Sequence, residues 1–338
     1  MKSSNRAVAF ATATAITGMG LVLSATASAE TVLKFASFVS PKYVLHTPIF
    51  QKMANDVSAS TGGQLKIRIY PSGELGKGAR QQYTRAVRGV ADITMGVTGY
   101  TSSLFPKTLH IEFPGVAKNG IDATAKMWKV MDKHLATEFK GTKVLALYST
   151  APSVILTTKK PIRSLADLKG MKIRTPSRPA GEVLRAYGAS PVSMPATKLY
   201  TAMSTGVIDG VMTGPTSLLI WKLHEPANFA TVGIPEMQMA IFIAMNRGSW
   251  NRLPAAQKAA LAKASGKNLS IAAAKKLDAF AKKALNLFAS KKGKTIIKLS
   301  AVARAEFDKA AAKARAKLVA GLEKNGVPSS QVIQDMQR

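Results

Sequence analysis

The chain has no cysteine, only four histidines and only 18 acidic residues among its 338. Without cysteine there is neither a disulfide nor a thiolate metal site, so the fold must be held by its own packed core. The histidines, His46, His110, His134 and His224, stand singly, and no pair of them has the helix-face spacing of a metal site. Neither a GxSxG turn nor a GxxxxGK phosphate loop occurs, which leaves a hydrolase or transferase without its usual parts. Past residue 29 no stretch is long and apolar enough to span a bilayer. Aromatic residues make up 7% of the chain, and none is interleaved with the basic run Lys309 to Lys317, as base recognition would require.

The first 29 residues read as an export signal. Lys2 and Arg6 precede an uncharged apolar run from Ala7 to Leu23, which ends in Ala27-Ser28-Ala29. Cleavage after Ala29 would leave 309 residues beginning at Glu30, expected to be soluble and periplasmic. No cysteine follows the run to carry a lipid anchor. The remainder holds 46 basic against 18 acidic residues, a net of +28. Residues 251–338 alone carry 19 basic and 5 acidic residues, a net of +14. The segment Lys309 to Lys317 (KAAAKARAK) can be read as a nucleic-acid contact or as a solvated helix face, and export with no nucleic-acid motif favours the second.

Organisation follows from hydrophobic period. Residues 32–38 (VLKFASF) form a strand pattern, and Thr47 with Pro48 opens a helix whose stripe is Ile49, Phe50, Met53 and Val57. Leu65 to Tyr70 alternates cleanly as a second strand, which gives a βαβ unit and hence a parallel sheet. The pattern repeats through helical Arg80–Val90, strand Ala91–Val97, helical Asp122–Leu135 and strand Thr142–Tyr148. A second α/β layer is expected from strands at Val154–Thr158, Lys172–Thr175 and Ile208–Met212, with helices from Pro179 and over Lys198–Ser204. After an apolar strand at Gln238–Met245 the chain turns helical, with Leu261, Leu269, Leu277 and Leu285 eight apart among Ala and Lys.

Four stretches carry a resemblance to a known family. They are FASFVSP from Phe35, YPSGELG from Tyr70, SLADLKGMKIRTP from Ser164 and YTAMSTGVIDGVMTGP from Tyr200. In these, and over essentially the whole length past residue 29, the chain resembles the substrate-binding subunits of tripartite ATP-independent periplasmic (TRAP) transporters. The resemblance implies a two-lobed α/β fold of the periplasmic-binding-protein kind, with a long helix and C-terminal helices bracing both lobes. On that reading residues 30–152 and about 239–280 form the first lobe. Residues 153–238 and about 290–338 form the second, and a bridging helix runs around 255–292. The resemblance also implies a receptor without cofactor or metal, which hands a small organic acid to membrane permease subunits and performs no chemistry.

Within that resemblance Arg174 of KIRTP is the residue expected to fork onto a ligand carboxylate. A guanidinium offers paired donors that match carboxylate geometry, and such charge-assisted bonds are each worth about 1.5–3 kcal/mol. The segment after Ile208 supplies the other wall, where Thr213 offers a hydroxyl and Met212 and Trp221 are either pocket surface or core. His46, just after the ligand-facing turn, is either structural or a ligand contact. Relatives that bind dicarboxylates or sugar acids commonly carry a second Arg where Val154 stands, and a polar residue where Val97 stands before Thr98-Gly99-Tyr100. Without those partners a second carboxylate would be costly to bury. The expected ligand is therefore a monocarboxylate with an apolar or aromatic body, lined by Phe38, Tyr100, Thr98, Trp221 and Phe242. Lys159 and Arg178 remain candidates for a second anion contact, and a binder of dicarboxylates or sugar acids is the alternative.

Overall fold

Leu33 and Phe35 turn inward and are buried, while Val32 and Lys34 face out, the period-2 alternation of a half-buried strand. Strands of this kind recur along the computed structural model, which describes residues 30–338. In chain order they are β1 (Thr31–Ala36), β2 (Leu65–Tyr70), β3 (Ile93–Val97), β4 (Thr142–Ser149), β5 (Val154–Thr157), β6 (Lys172–Thr175), β7 (Ser190–Ser193), β8 (Gly210–Thr213), β9 (Phe229–Val232), β10 (Ala240–Asn246) and β11 (Thr295–Lys298).

They build two sheets. The first has the order β2-β1-β3-β10-β4, and the second β11-β9-β5-β8-β6-β7. In the first, β1 runs parallel to β2 and β3, while β10 is antiparallel to β3 and β4. In the second, β6 is parallel to β7 and β8, and β5 is antiparallel to β8 and β9. β5 and β10 thus enter their sheets from the other half of the molecule. The chain crosses between halves at residues 150–153 and again at 233–239.

A third crossing is the 24-residue helix Gly266–Ala289. Its Ala and Lys residues favour helix, and its apolar positions serve both halves in turn. Ala273 and Leu277 lie in the core under β1, β3 and β4, whereas Ala284 and Phe288 lie in the core against β5 and β8. Burial of Leu277 and Phe288 contributes roughly 1.5–3 kcal/mol each. Polar contacts fix the register: Ser270 Oγ accepts from Leu147 N at 3.0 Å, and the Asp278 carboxylate accepts from Gly120 N and Ile121 N, each at 3.2 Å.

Three expectations need correction. The bridging segment is two helices, Ala255–Lys263 and Gly266–Ala289, because the chain turns at Gly266 with φ of +77°, a conformation that glycine alone adopts freely. Residues 290–338 do not all join the second half. Val332, Ile333 and Met336 of the last helix, Ser329–Gln337, pack with Phe113, Met127 and Leu147 of the first. Apolar period shows which face is buried and leaves the partner open. Finally, Thr47 does not cap a helix, since a wide helical turn, His46–Gln51, already runs into Lys52–Ser60 without a side-chain cap. The signal-peptide reading falls on residues 1–29, outside the described residues.

Candidate functional site

The carboxyl ends of β1, β3, β6 and β8 converge where the two halves meet, the place where open α/β sheets take ligands. β1 delivers Phe38, β3 delivers Thr98, Gly99 and Tyr100, β6 holds Arg174, and β8 ends on Thr213 with Trp221 beyond it.

Arg174 is fully buried. Its Nε donates to the Met194 carbonyl at 2.8 Å and its Nη1 to the Met212 carbonyl at 3.5 Å, while Nη2 has no partner. Burial pulls the guanidinium pKa down, and the Tyr100 phenol and the Glu112 carboxylate beside it act the other way. A guanidinium still holds its proton under such pressure. The site therefore presents a desolvated cation with one amino group free, steered by two backbone carbonyls.

Aromatic rings lie on its Tyr100 side. Phe38 stacks on Trp221 with centroids 6.4 Å apart and planes 3° from parallel, and Phe38 and Tyr100 lie 6.3 Å apart at 52°. Trp221 packs against cores of both halves. Further contacts tie the halves together. The Tyr100 hydroxyl accepts from Ala196 N at 2.9 Å, Arg80 Nη2 donates to Ser193 Oγ at 3.2 Å, and Arg178 N donates to Ser102 Oγ at 3.2 Å. At Gly99 a Cβ would lie 2.7 Å from the Ser177 Cβ and 3.2 Å from the Pro176 carbonyl, so the closeness of the halves there depends on the missing side chain. The conformation is a closed one.

The structure brings together Arg174, Tyr100, Phe38 and Trp221, but it employs the other candidates elsewhere. Thr98 Oγ1 donates to the Ala240 carbonyl at 3.1 Å, and Thr213 Oγ1 pairs with Ser217 Oγ at 2.8 Å, so both hydroxyls have internal partners. The Met212 side chain is core, with Ile155 and Ile173, and only its carbonyl reaches Arg174. Phe242 needs correction: its ring packs on Tyr83, Phe105 and Phe139 with centroids 5.7–6.2 Å apart and lies over Gly96, where a Cβ would meet it at 2.3 Å. A ring so enclosed has no face left for a ligand. Val97 and Val154 are buried, apolar and in core clusters. His46 lies edge-on to Phe50 at 6.3 Å, a packing contact.

Of the two spare cations, Lys159 is exposed beyond the far end of β5, near Asp209. Arg178, four positions after Arg174, lines a cavity of about 310 Å3 with Arg80, Tyr100, Thr175, Ser177 and Arg185. One residue of the junction escaped the sequence reading. Glu112 is 1% exposed, and burial pushes its carboxyl up to about 7 against the pull of Ser177, Ala240 N–H and Arg174. Its signal was a single acid inside the apolar stretch Leu109 to Val116.

Known proteins share this fold. The sequence profile of the family described as bacterial extracellular solute-binding protein, family 7, matches residues 35–321. A TRAP solute-binding protein from a marine metagenome, specific for aromatic acid ligands and solved with metahydroxyphenylacetate, superposes with a TM-score of 0.87 at 30% identity, over 91% of this chain and 98% of that one. One from Rhodoferax ferrireducens, solved with copurified benzoate, gives 0.86 at 29% identity, over 91% and 96%. The uncharacterised protein YiiZ of Salmonella typhimurium is 28% identical over 210 residues, which span 60% of this chain and 62% of YiiZ. The two-sheet fold is that of a TRAP solute-binding protein, and the chain belongs to family 7 of the bacterial extracellular solute-binding proteins.

Proposed function

We propose that this protein is a non-enzymatic periplasmic receptor that clamps a monocarboxylate with an aromatic body and delivers it to the permease of a TRAP transporter. One observation carries the reading: a buried Arg174 with a free amino group sits beside the Phe38–Tyr100–Trp221 rings. The guanidinium meets the carboxylate, and the rings offer faces for stacking, worth about 0.5–1.5 kcal/mol per pair beyond burial. Val97 and Val154 supply no polar partner for hydroxyls or a second carboxylate, whose uncompensated burial costs several kcal/mol. Two solved relatives with 29–30% identity hold aromatic acids, which supports the same class. Export would follow cleavage of residues 1–29 after Ala29.

The second reading, a dicarboxylate or sugar acid, is favoured by the cavity that Arg80, Arg178 and Arg185 line. These arginines are exposed, so an anion there gains less than one against Arg174. Mass spectrometry of the small molecules released on gentle unfolding of the purified protein separates the two. An aromatic monocarboxylic acid is expected, and a dicarboxylate or sugar acid alone would overturn the first reading.

A further inference from the structure

Glu112 and Arg174 come from opposite halves and are both buried where those halves meet. Glu112 Oε1 accepts from Ala240 N at 3.3 Å and lies 3.4 Å from where a Gly99 Cβ would be. Its other oxygen, Oε2, has no partner, and neither has Arg174 Nη2. Two buried, unpaired polar atoms of complementary character at one junction are costly unless something joins them. Each group also senses the other's charge, since Arg174 draws Glu112 toward ionisation and Glu112 favours the charged guanidinium.

We propose that Glu112 is a second ligand contact: as a neutral carboxylic acid it donates its O–H to the carboxylate that Arg174 holds, so binding of an organic acid takes up one proton from solvent. This rests on the carboxylate reading above and deepens it. An O–H donor onto a carboxylate makes one of the shorter and stronger hydrogen bonds. It supplies a second polar contact without the second arginine that Val154 replaces. It also avoids two anions sharing a dry site, which would otherwise force one of them to protonate.

The surroundings of Glu112 fit a proton held near neutral pH. Facing it are the Ser177 hydroxyl at the start of the helix Arg178–Ala186, the Ala240 N–H of β10, and Arg174 as the charged group. On its own segment His110 is held by the Lys107 carbonyl at 2.8 Å. Burial lowers the His110 imidazole to about 4, opposed by the Lys107 carbonyl and Glu323 and reinforced slightly by His134 and Arg315, so it stays neutral where Glu112 titrates. With the free carboxyl near 7, Glu112 is ionised before binding above that pH and protonated below it. The affinity for a carboxylate should then fall as pH rises past 7, by up to tenfold per unit.

Calorimetry of benzoate binding in HEPES and in Tris, whose ionisation heats differ, counts the protons exchanged. At pH 8 the protein should take up close to one proton per benzoate, and at pH 6 much less. Glu112→Gln should still bind, with no uptake and a dissociation constant flat from pH 6 to 8.5. Binding without uptake at pH 8, or uptake that persists in E112Q, overturns the inference and leaves the receptor reading standing. If benzoate and the other aromatic acids fail to bind at any pH, the receptor reading falls and this inference with it.

Discussion

Arg174 has a structural task that cannot be separated from the ligand contact proposed for it. Its Nε and Nη1 satisfy the carbonyls of Met194 and Met212, which belong to the loop after β7 and to β8. Removing the side chain takes a donor from both carbonyls, the Met212 one buried and the Met194 one partly buried, at about 1–3 kcal/mol each. Arg174→Ala should therefore abolish ligand binding and also lower the unfolding free energy by about 2–4 kcal/mol in urea. Arg174→Lys should keep more of the fold than of the binding, because an ammonium is a point charge and cannot fork across two carbonyls and a carboxylate. Binding of an aromatic acid by R174A at wild-type affinity would remove Arg174 from the site. The resemblance singled this residue out through the KIRTP segment, and the strand that ends just before Pro176 was the local feature that agreed with it. Glu112 was not legible in the same way. Its partners Ser177 and Ala240 are 65 and 128 positions away, and only the folded chain puts them beside it.

Among elements, strands whose side chains alternate in burial were readable, and β1 and β2 fall close to where period and turn residues put them. The strand expected from Ala91 begins at Ile93, because the Asp92 carboxylate is engaged by Lys34 N at 2.8 Å and Ser249 Oγ at 2.6 Å. Phe242 shows why site residues on buried strands are hard to read. Phe242 alternates with Ile241 and Ile243, all are apolar, and only the glycine opposite, Gly96, selects the face on which the ring lies. The loop after β3 offers a test of how closely the two halves must meet. Gly99→Ala would insert a Cβ 2.7 Å from Ser177 and 3.2 Å from the Pro176 carbonyl, across the junction. Because the clash arises only on closure, the variant should keep wild-type unfolding free energy without ligand, yet bind the ligand at least several-fold more weakly. Small-angle scattering at saturating ligand should then give a larger radius of gyration than the wild type. An unchanged affinity and profile would mean that closure does not need this contact.

At the scale of the molecule, one feature stands apart from the site. Lys267, Lys275, Lys276, Lys282 and Lys283 are exposed along Gly266–Ala289 and form no ion pair among the described residues. The opposite side of that helix braces both cores, so these five lysines are the solvated face of a structural element. Attraction to polyanions by such a face is unspecific and is lost as salt rises. The proposed clamp would draw its walls from two halves, with Phe38, Tyr100 and Glu112 on one and Arg174 and Trp221 on the other. On that proposal its selectivity would follow from one buried guanidinium, three rings and two valines. The most direct test is a thermal-shift panel of benzoate, 3-hydroxybenzoate and mandelate against succinate, malate and sialic acid. A ligand at 100 times its dissociation constant adds about 2.7 kcal/mol, which raises the melting temperature by several degrees. The account predicts that rise for the aromatic monocarboxylates and none for the others, whereas stabilisation by succinate, malate or sialic acid alone would contradict it.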